Sequence, residues 1–309
     1  MLARRSTTDA PDTAETAGVE VVTGVEATNA AGRPFTGAPR IARGVSPAAG
    51  SSAQVHVADH ALVVLSGTAV RTNDTHSAVA WYAEQLGRGL AAALNHSPGA
   101  ELRELLFGQI TVVRDSWRLL PRQSPAASVA IIRWDARRLD ALVLGDTSVT
   151  VVTTAGGTGQ LSDPRPAHAQ RMCPVPDVLW RLRQGRGFDA YHQARITEQR
   201  AWLADHAVNV DQDGGYWLAE TDPEAAYRAY IQSWPVDAIR LAGAWTTGLT
   251  SARTGYGLLT AARADHPQSV VDAVRAAEVN DPSGRRWPRA AAVSDHALAL
   301  ADFRPDAPT

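Results

Sequence analysis

Short apolar runs punctuated by glycine, proline and aspartate alternate along this chain with longer stretches of helical spacing. "HALVVLSG" (60–67) is an apolar run ending in a turn and predicts a central strand. "HSAVAWYAEQLGRGLAAALNH" (76–96) puts Val79, Tyr82, Leu86, Leu90 and Leu94 on one stripe. "GAELRELLFGQITVVRDSWRLL" (99–120) repeats Leu102, Leu105, Leu106, Ile110 and Val113 at helical intervals. Three β-runs come next, 128–135, 138–146 and 148–155, separated by Gly and Asp. "VEVVTGVEA" (19–27) and "GGYWLAE" (214–220) also predict strands. "TDPEAAYRAYIQS" (221–233) opens with helix-start residues: Thr or Asp as N-cap, then Pro, then Glu. Strands are expected at 237–245 and 294–303, and helices in "YGLLTAARA" and "PQSVVDAVRAAEV".

Paired helices between groups of strands do not match the strict alternation of a doubly wound sheet. The order predicts an α+β chain whose sheets pack in a sandwich. One domain is expected over 19–303, with a disordered tail at 1–18 and a short tail at 304–309.

Composition narrows the chemistry. At 45% hydrophobic and 20% charged, with net charge −2, the 309 residues give no reason to expect nucleic-acid or membrane partners. No apolar run approaches the ~18 residues of a membrane span. The single cysteine, Cys173, excludes an internal disulfide and cysteine-cluster metal sites, and a cytoplasmic location is expected. All 30 basic residues are arginines, so lysine chemistry is excluded.

Taken in order, "VVLSG", "HSAVAWYAEQLG", "LVLGDTSV", "GGYWLAETDPEAAY", "IRLAGAW" and "RAAEVNDPSGRRWPRAAAVSDHALAL" resemble the PP2C-like (PPM-type) serine/threonine phosphatase family, in particular its actinobacterial branch. The resemblance covers roughly residues 19–303. It implies a four-layer αββα sandwich: two antiparallel sheets face to face, with helix pairs outside. It also implies a site in which aspartates hold two manganese or magnesium ions that activate an attacking water.

Those aspartates are mostly missing. The family's early Glu-Asp motif falls at Thr36 and Gly37, and its Asp-Gly turn at Ser66-Gly67. The late Asp-Gly turn falls near Gly243-Ala244, and only Asp295, beside His296, and Asp146 keep a carboxylate. Asp59 and Asp74 are substitutes if the alignment slips. Asp295 is therefore read as a vestigial metal ligand.

Ser66 is either a neutral replacement for a lost ligand or a nucleophile, though no Gly-x-Ser-x-Gly elbow surrounds it. His60 and His76 flank the same strand; with Asp59, Asp74 or Asp146 they can form an acid/base pair or hold one zinc ion. Their alternative role is structural. His296 is either a partner of Asp295 or a solvated strand end. Gly67, Thr68, Gly243, Trp245 and His296 are expected to line the emptied cleft, with Trp245 filling it. The arginine-rich "RLRQGRGFDAYHQAR" (181–195) is either a solvated face or an anion-binding surface.

Three readings emerge. The first is a pseudophosphatase that binds a phosphoprotein or small molecule without a cofactor. The second is a repurposed enzyme of specialised metabolism using the emptied cleft, metal-free or with a single divalent ion. The third, a residual manganese- or magnesium-dependent phosphatase, conflicts with the lost carboxylates.

Overall fold

The computed structural model describes residues 39–46, 51–70, 75–176, 178–249 and 266–303. The chain divides into Met1–Arg33 and Pro34–Thr309, and every described residue belongs to the second unit. The strand expected at 19–27, the helix "YGLLTAARA", Thr36, Gly37 and Asp74 lie outside the described residues.

Among the described residues, ten strands form two antiparallel five-stranded sheets. One sheet has the order β1 (Arg40–Ser46), β10 (His296–Asp302), β9 (Ile239–Thr246), β6 (Thr147–Thr153), β7 (Thr158–Ser162). The other runs β2 (Ala53–Ala58), β3 (Ala61–Thr68), β4 (Ala126–Trp134), β5 (Arg138–Leu144), β8 (Tyr230–Pro235). Period-2 alternation sends successive side chains to opposite faces. Leu62, Val64, Ala130, Ile132, Val149, Ala242, Ala244, Ala297 and Ala299 form the layer between the sheets. Val63, Leu65, Val129 and Ile131 face the other way, under helices. This is the expected α+β sandwich.

Helix α1 (His76–His96) begins at Thr75, whose hydroxyl accepts from the Ala78 N–H, and buries Val79, Tyr82, Leu86, Leu90 and Leu94. With α2 (Leu102–Trp117) it covers the second sheet. Each of these leucines, fully buried, contributes roughly 1.5–3 kcal/mol. Between β7 and β8 lie α3 (Arg165–Met172), α4 (Leu179–Arg183) and α5 (Ala190–His206). Helix α6 (Pro267–Val279) covers the first sheet, seating Val270, Val271 and Val274 on Trp245, Leu298 and Leu300.

Three expectations change. Residues 214–220 make only isolated bridges, Val208 to Tyr216 and Ala127 to Ala219, instead of a strand. The helix expected over 221–233 is one 3-10 segment, Pro223–Arg228, because Tyr230–Pro235 pairs with β5. Strands β2 and β7 were not foreseen, being short edge strands with weak alternation.

Candidate functional site

Ser66 is the hinge of the site. It lies near the end of β3, in register with Ala53 on one side and Ser128 on the other. Alternation with Leu62 and Val64 turns it toward the space between the sheets. Two polar groups flank it, one reached through β2 and one through β4.

The first group joins Asp295, Ser52 and His76. Asp295 Oδ2 accepts from both the main-chain N–H and the hydroxyl of Ser52, each at 2.7 Å. His76 Nε2 stands 3.7 Å from the same oxygen, with its ring exposed. Gly67 ties the group together: its N–H donates to the Ser52 carbonyl at 2.7 Å. A Cβ there would come within 2.9 Å of the Val79 carbonyl and 2.7 Å of the Val79 side chain. The missing side chain is what lets the first turn of α1, and with it His76, approach the strand end.

The second group surrounds Asp146. Its N–H donates to Ser128 Oγ at 2.8 Å, and the Thr247 hydroxyl donates to its carbonyl. The preceding Gly145 takes a φ of 73°, a conformation suited to glycine. Loss of hydration raises the Asp146 carboxyl to about 6; hydrogen bonding from Thr247 opposes the rise and the charge of Asp163 adds to it. Asp146 is nonetheless exposed at its turn. Water reaching it argues for a smaller rise than a closed pocket would produce. Asp163 itself is fully engaged: Arg165 grips it through Nε at 2.8 Å and Nη2 at 2.7 Å, and the Arg165 and Gly145 N–H groups donate to it.

Neutral hydroxyls also stand at this end of the sandwich. Thr147 and Thr246 lie directly opposite each other in register on β6 and β9, both buried. Thr246 Oγ1 accepts from the Ala297 N–H, whereas Thr147 Oγ1 has no partner among the described residues. Two divalent ions need several oxygen ligands, mostly carboxylates. Among the described residues, no three His, Cys, Asp or Glu side chains converge as a metal site would require. With Asp295 held by Ser52 and Asp163 by Arg165, the described residues do not fit a two-metal centre.

Several expected cleft residues lie elsewhere. His60 is at the hairpin joining β2 and β3, six residues from Ser66 along an extended strand, roughly 20 Å away. There its ring packs edge-on to Trp134, and the neighbouring Asp59 N–H is bound by Asn95 near the far end of α1. Asp59 therefore cannot stand in for a lost ligand. Trp245 does not fill the cleft: alternation along β9 sends it outward, under α6 with Val270 and Leu298. Gly243 is in mid-strand, paired with Thr150 and Leu300, and forms no turn. His296 is buried, 1% exposed, and bonds Glu278 on α6 at 3.1 Å. It is no solvated strand end and no partner of Asp295, because adjacent residues leave a strand on opposite faces. Thr68 remains at the site, two residues beyond Ser66 on the same face.

Ser52, Ser128 and Asp163 were not foreseen. Single polar residues in loops or apolar strands carry no spacing signal, and only their register with Ser66 and Gly145 gives them meaning.

Among solved structures, the chain is similar to the serine/threonine phosphatase Stp1 from Staphylococcus aureus, with TM-score 0.52 and 9% identity, over 90% of this chain and 100% of that one. It is similarly matched by a bacterial serine phosphatase, with TM-score 0.51 and 9% identity, over 87% of this chain and 99% of that one. No family model and no curated protein matches the sequence. No helix among the described residues is long and apolar enough to cross a membrane. The shared architecture is that of the PP2C-like phosphatases: this chain has their fold, with the hydroxyls of Ser52, Ser66, Ser128, Thr147 and Thr246 among the described residues at its sheet ends.

Proposed function

We propose that this chain is a pseudophosphatase, a PP2C-like fold used to bind a phosphoprotein or small molecule without hydrolysing it and without a cofactor. One observation carries the reading. Where the resemblance places a metal-holding aspartate, Ser66 is set between two groups whose carboxylates already have protein partners or stand singly. Among the described residues, too little negative charge converges there to offset two divalent cations. The motif spelling supports an actinobacterial origin, and cysteine usage a cytoplasmic setting. The test is manganese-dependent hydrolysis of an aryl phosphate by the wild type and by Asp295→Ala. No turnover in either is expected; metal-dependent turnover lost in Asp295→Ala would overturn the reading.

A second reading, a repurposed metal-free enzyme, rests on His76 Nε2 at 3.7 Å from Asp295. An exposed imidazole beside a carboxylate is a pairing that general acid–base catalysis uses. Turnover of an aryl ester or phosphate in chelator, abolished by His76→Ala, is the result that would favour it.

A further inference from the structure

Away from the sheet ends, the segment from α4 into α5 carries a groove of about 570 Å³ lined by Trp180, Arg181, Gln184, Arg186 and Tyr191. Four arginines and one aspartate fall between residues 179 and 195, in a chain of net charge −2. Their engagement differs. Arg181 is locked: it binds both oxygens of Asp189 at 3.0 and 3.2 Å and stacks on the Tyr191 ring at 4.3 Å. Arg195 is paired with Glu198 at 2.7 Å. Arg186 is exposed, and its guanidinium has no partner among the described residues. Two large rings beside it, Trp180 and Tyr191, are 57% and 52% exposed. One wall is thus tied together by the Arg181–Asp189 pair and by the stacking of Arg181 and Arg195 on Tyr191, while Arg186 and the exposed Trp180 ring are left for something else.

We propose that this groove binds a phosphorylated peptide segment. Arg186 would receive the phosphate, whose oxygens match its planar fork of donors. Trp180 and Tyr191 take the flanking side chains, and the Gln184 amide is suited to the peptide main chain. The groove is open to solvent, as an extended chain passing over a surface requires, whereas small-molecule sites bury most of their ligand. This inference rests on the phosphoprotein-binding reading and moves recognition from the sheet ends to the α4–α5 surface.

The test uses the full chain in chelator, which blocks metal-dependent hydrolysis. Fluorescence anisotropy tracks a short labelled peptide carrying one phosphothreonine among glutamates. Arg186→Glu and Trp180→Ala are expected to weaken binding about tenfold or more each, since exposed Arg and Trp in a pocket are the usual hot spots. Asp295→Ala, at the sheet ends, is expected to bind as the wild type does. Binding should weaken with salt and should vanish for the unphosphorylated peptide. The proposal is overturned if both groove variants bind like the wild type, if phosphorylation makes no difference, or if Asp295→Ala alone abolishes binding. It is also overturned if adenosine monophosphate displaces the peptide and is itself retained through Arg186, which would mark a nucleotide site. Hydrolysis of the same peptide in manganese is read separately: turnover would end the pseudophosphatase reading, while groove-dependent binding would stand.

Discussion

Asp295 Oδ2 accepts two hydrogen bonds from one residue, the N–H and the hydroxyl of Ser52, both at 2.7 Å. A carboxylate at the end of the first sheet is thereby stitched to the entry of β2 in the second. In a pseudophosphatase, its work is to hold the sheet ends together.

Removing it should therefore cost stability. Asp295→Ala strands the Ser52 N–H and should lower unfolding free energy by about 1–3 kcal/mol in urea titration. Asp295→Asn keeps one acceptor oxygen and should lose less. Equal stability of all three proteins would mean that water replaces the carboxylate without cost.

Gly67→Ala places a methyl 2.7 Å from the Val79 side chain and 2.9 Å from its carbonyl. One of the two contacts is main chain, so the helix start must shift. A loss of about 1–3 kcal/mol is expected. Thermal unfolding measures it, and the His76 imidazole proton resonances report whether the ring has moved relative to Asp295.

Trp245→Ala should open its cavity beneath α6, bounded by Val270, Val271 and Leu298, and not among the hydroxyls at the sheet ends. The expected destabilisation is about 3–5 kcal/mol. A crystal structure of the variant under xenon locates the void directly. Xenon beside Ser66 would contradict the placement of Trp245.

Asp146 introduces a pH dependence with a definite sign. Burial raises its carboxyl above the ordinary value toward about 6, less so for its exposure to water, so the folded protein holds more protons than the unfolded chain across that interval. Its contribution to stability is complete below the unfolded value and declines as pH rises through the folded one. Urea midpoints tracked from about pH 4 to about pH 7 should show a component that falls with pH in the wild type and is absent in Asp146→Asn. An identical slope in both proteins would place the titration on another group.

Much of the fold is legible in the order of apolar and polar residues. The stripes of 76–96 and 267–279 match α1 and α6 residue for residue, because each buries one face against a sheet. The run ending at Ser66 is β3, and the three β-runs after the second helix are β4, β5 and β6. Pairing of β8 with β5 overrode the helix-start residues at 221–223, since cross-strand hydrogen bonds outweigh a single cap.

The chain by itself determined which residue types stand at Ser66 and Ala244. Which residues occupy motif positions is a matter of identity and order, and Ser66 and Ala244 are neutral in any conformation. Only the tertiary structure decided which survivors meet. His60 and His76 look equivalent when counted along the chain, yet one lies at each end of a strand that separates them. Asp295 and His296 are neighbours, yet one binds Ser52 and the other Glu278 under α6. Separation along an extended strand grows by about 3.3 Å per residue and the facing side alternates at every step. Proximity in sequence therefore says little about proximity in a site, and the register between strands supplies the rest.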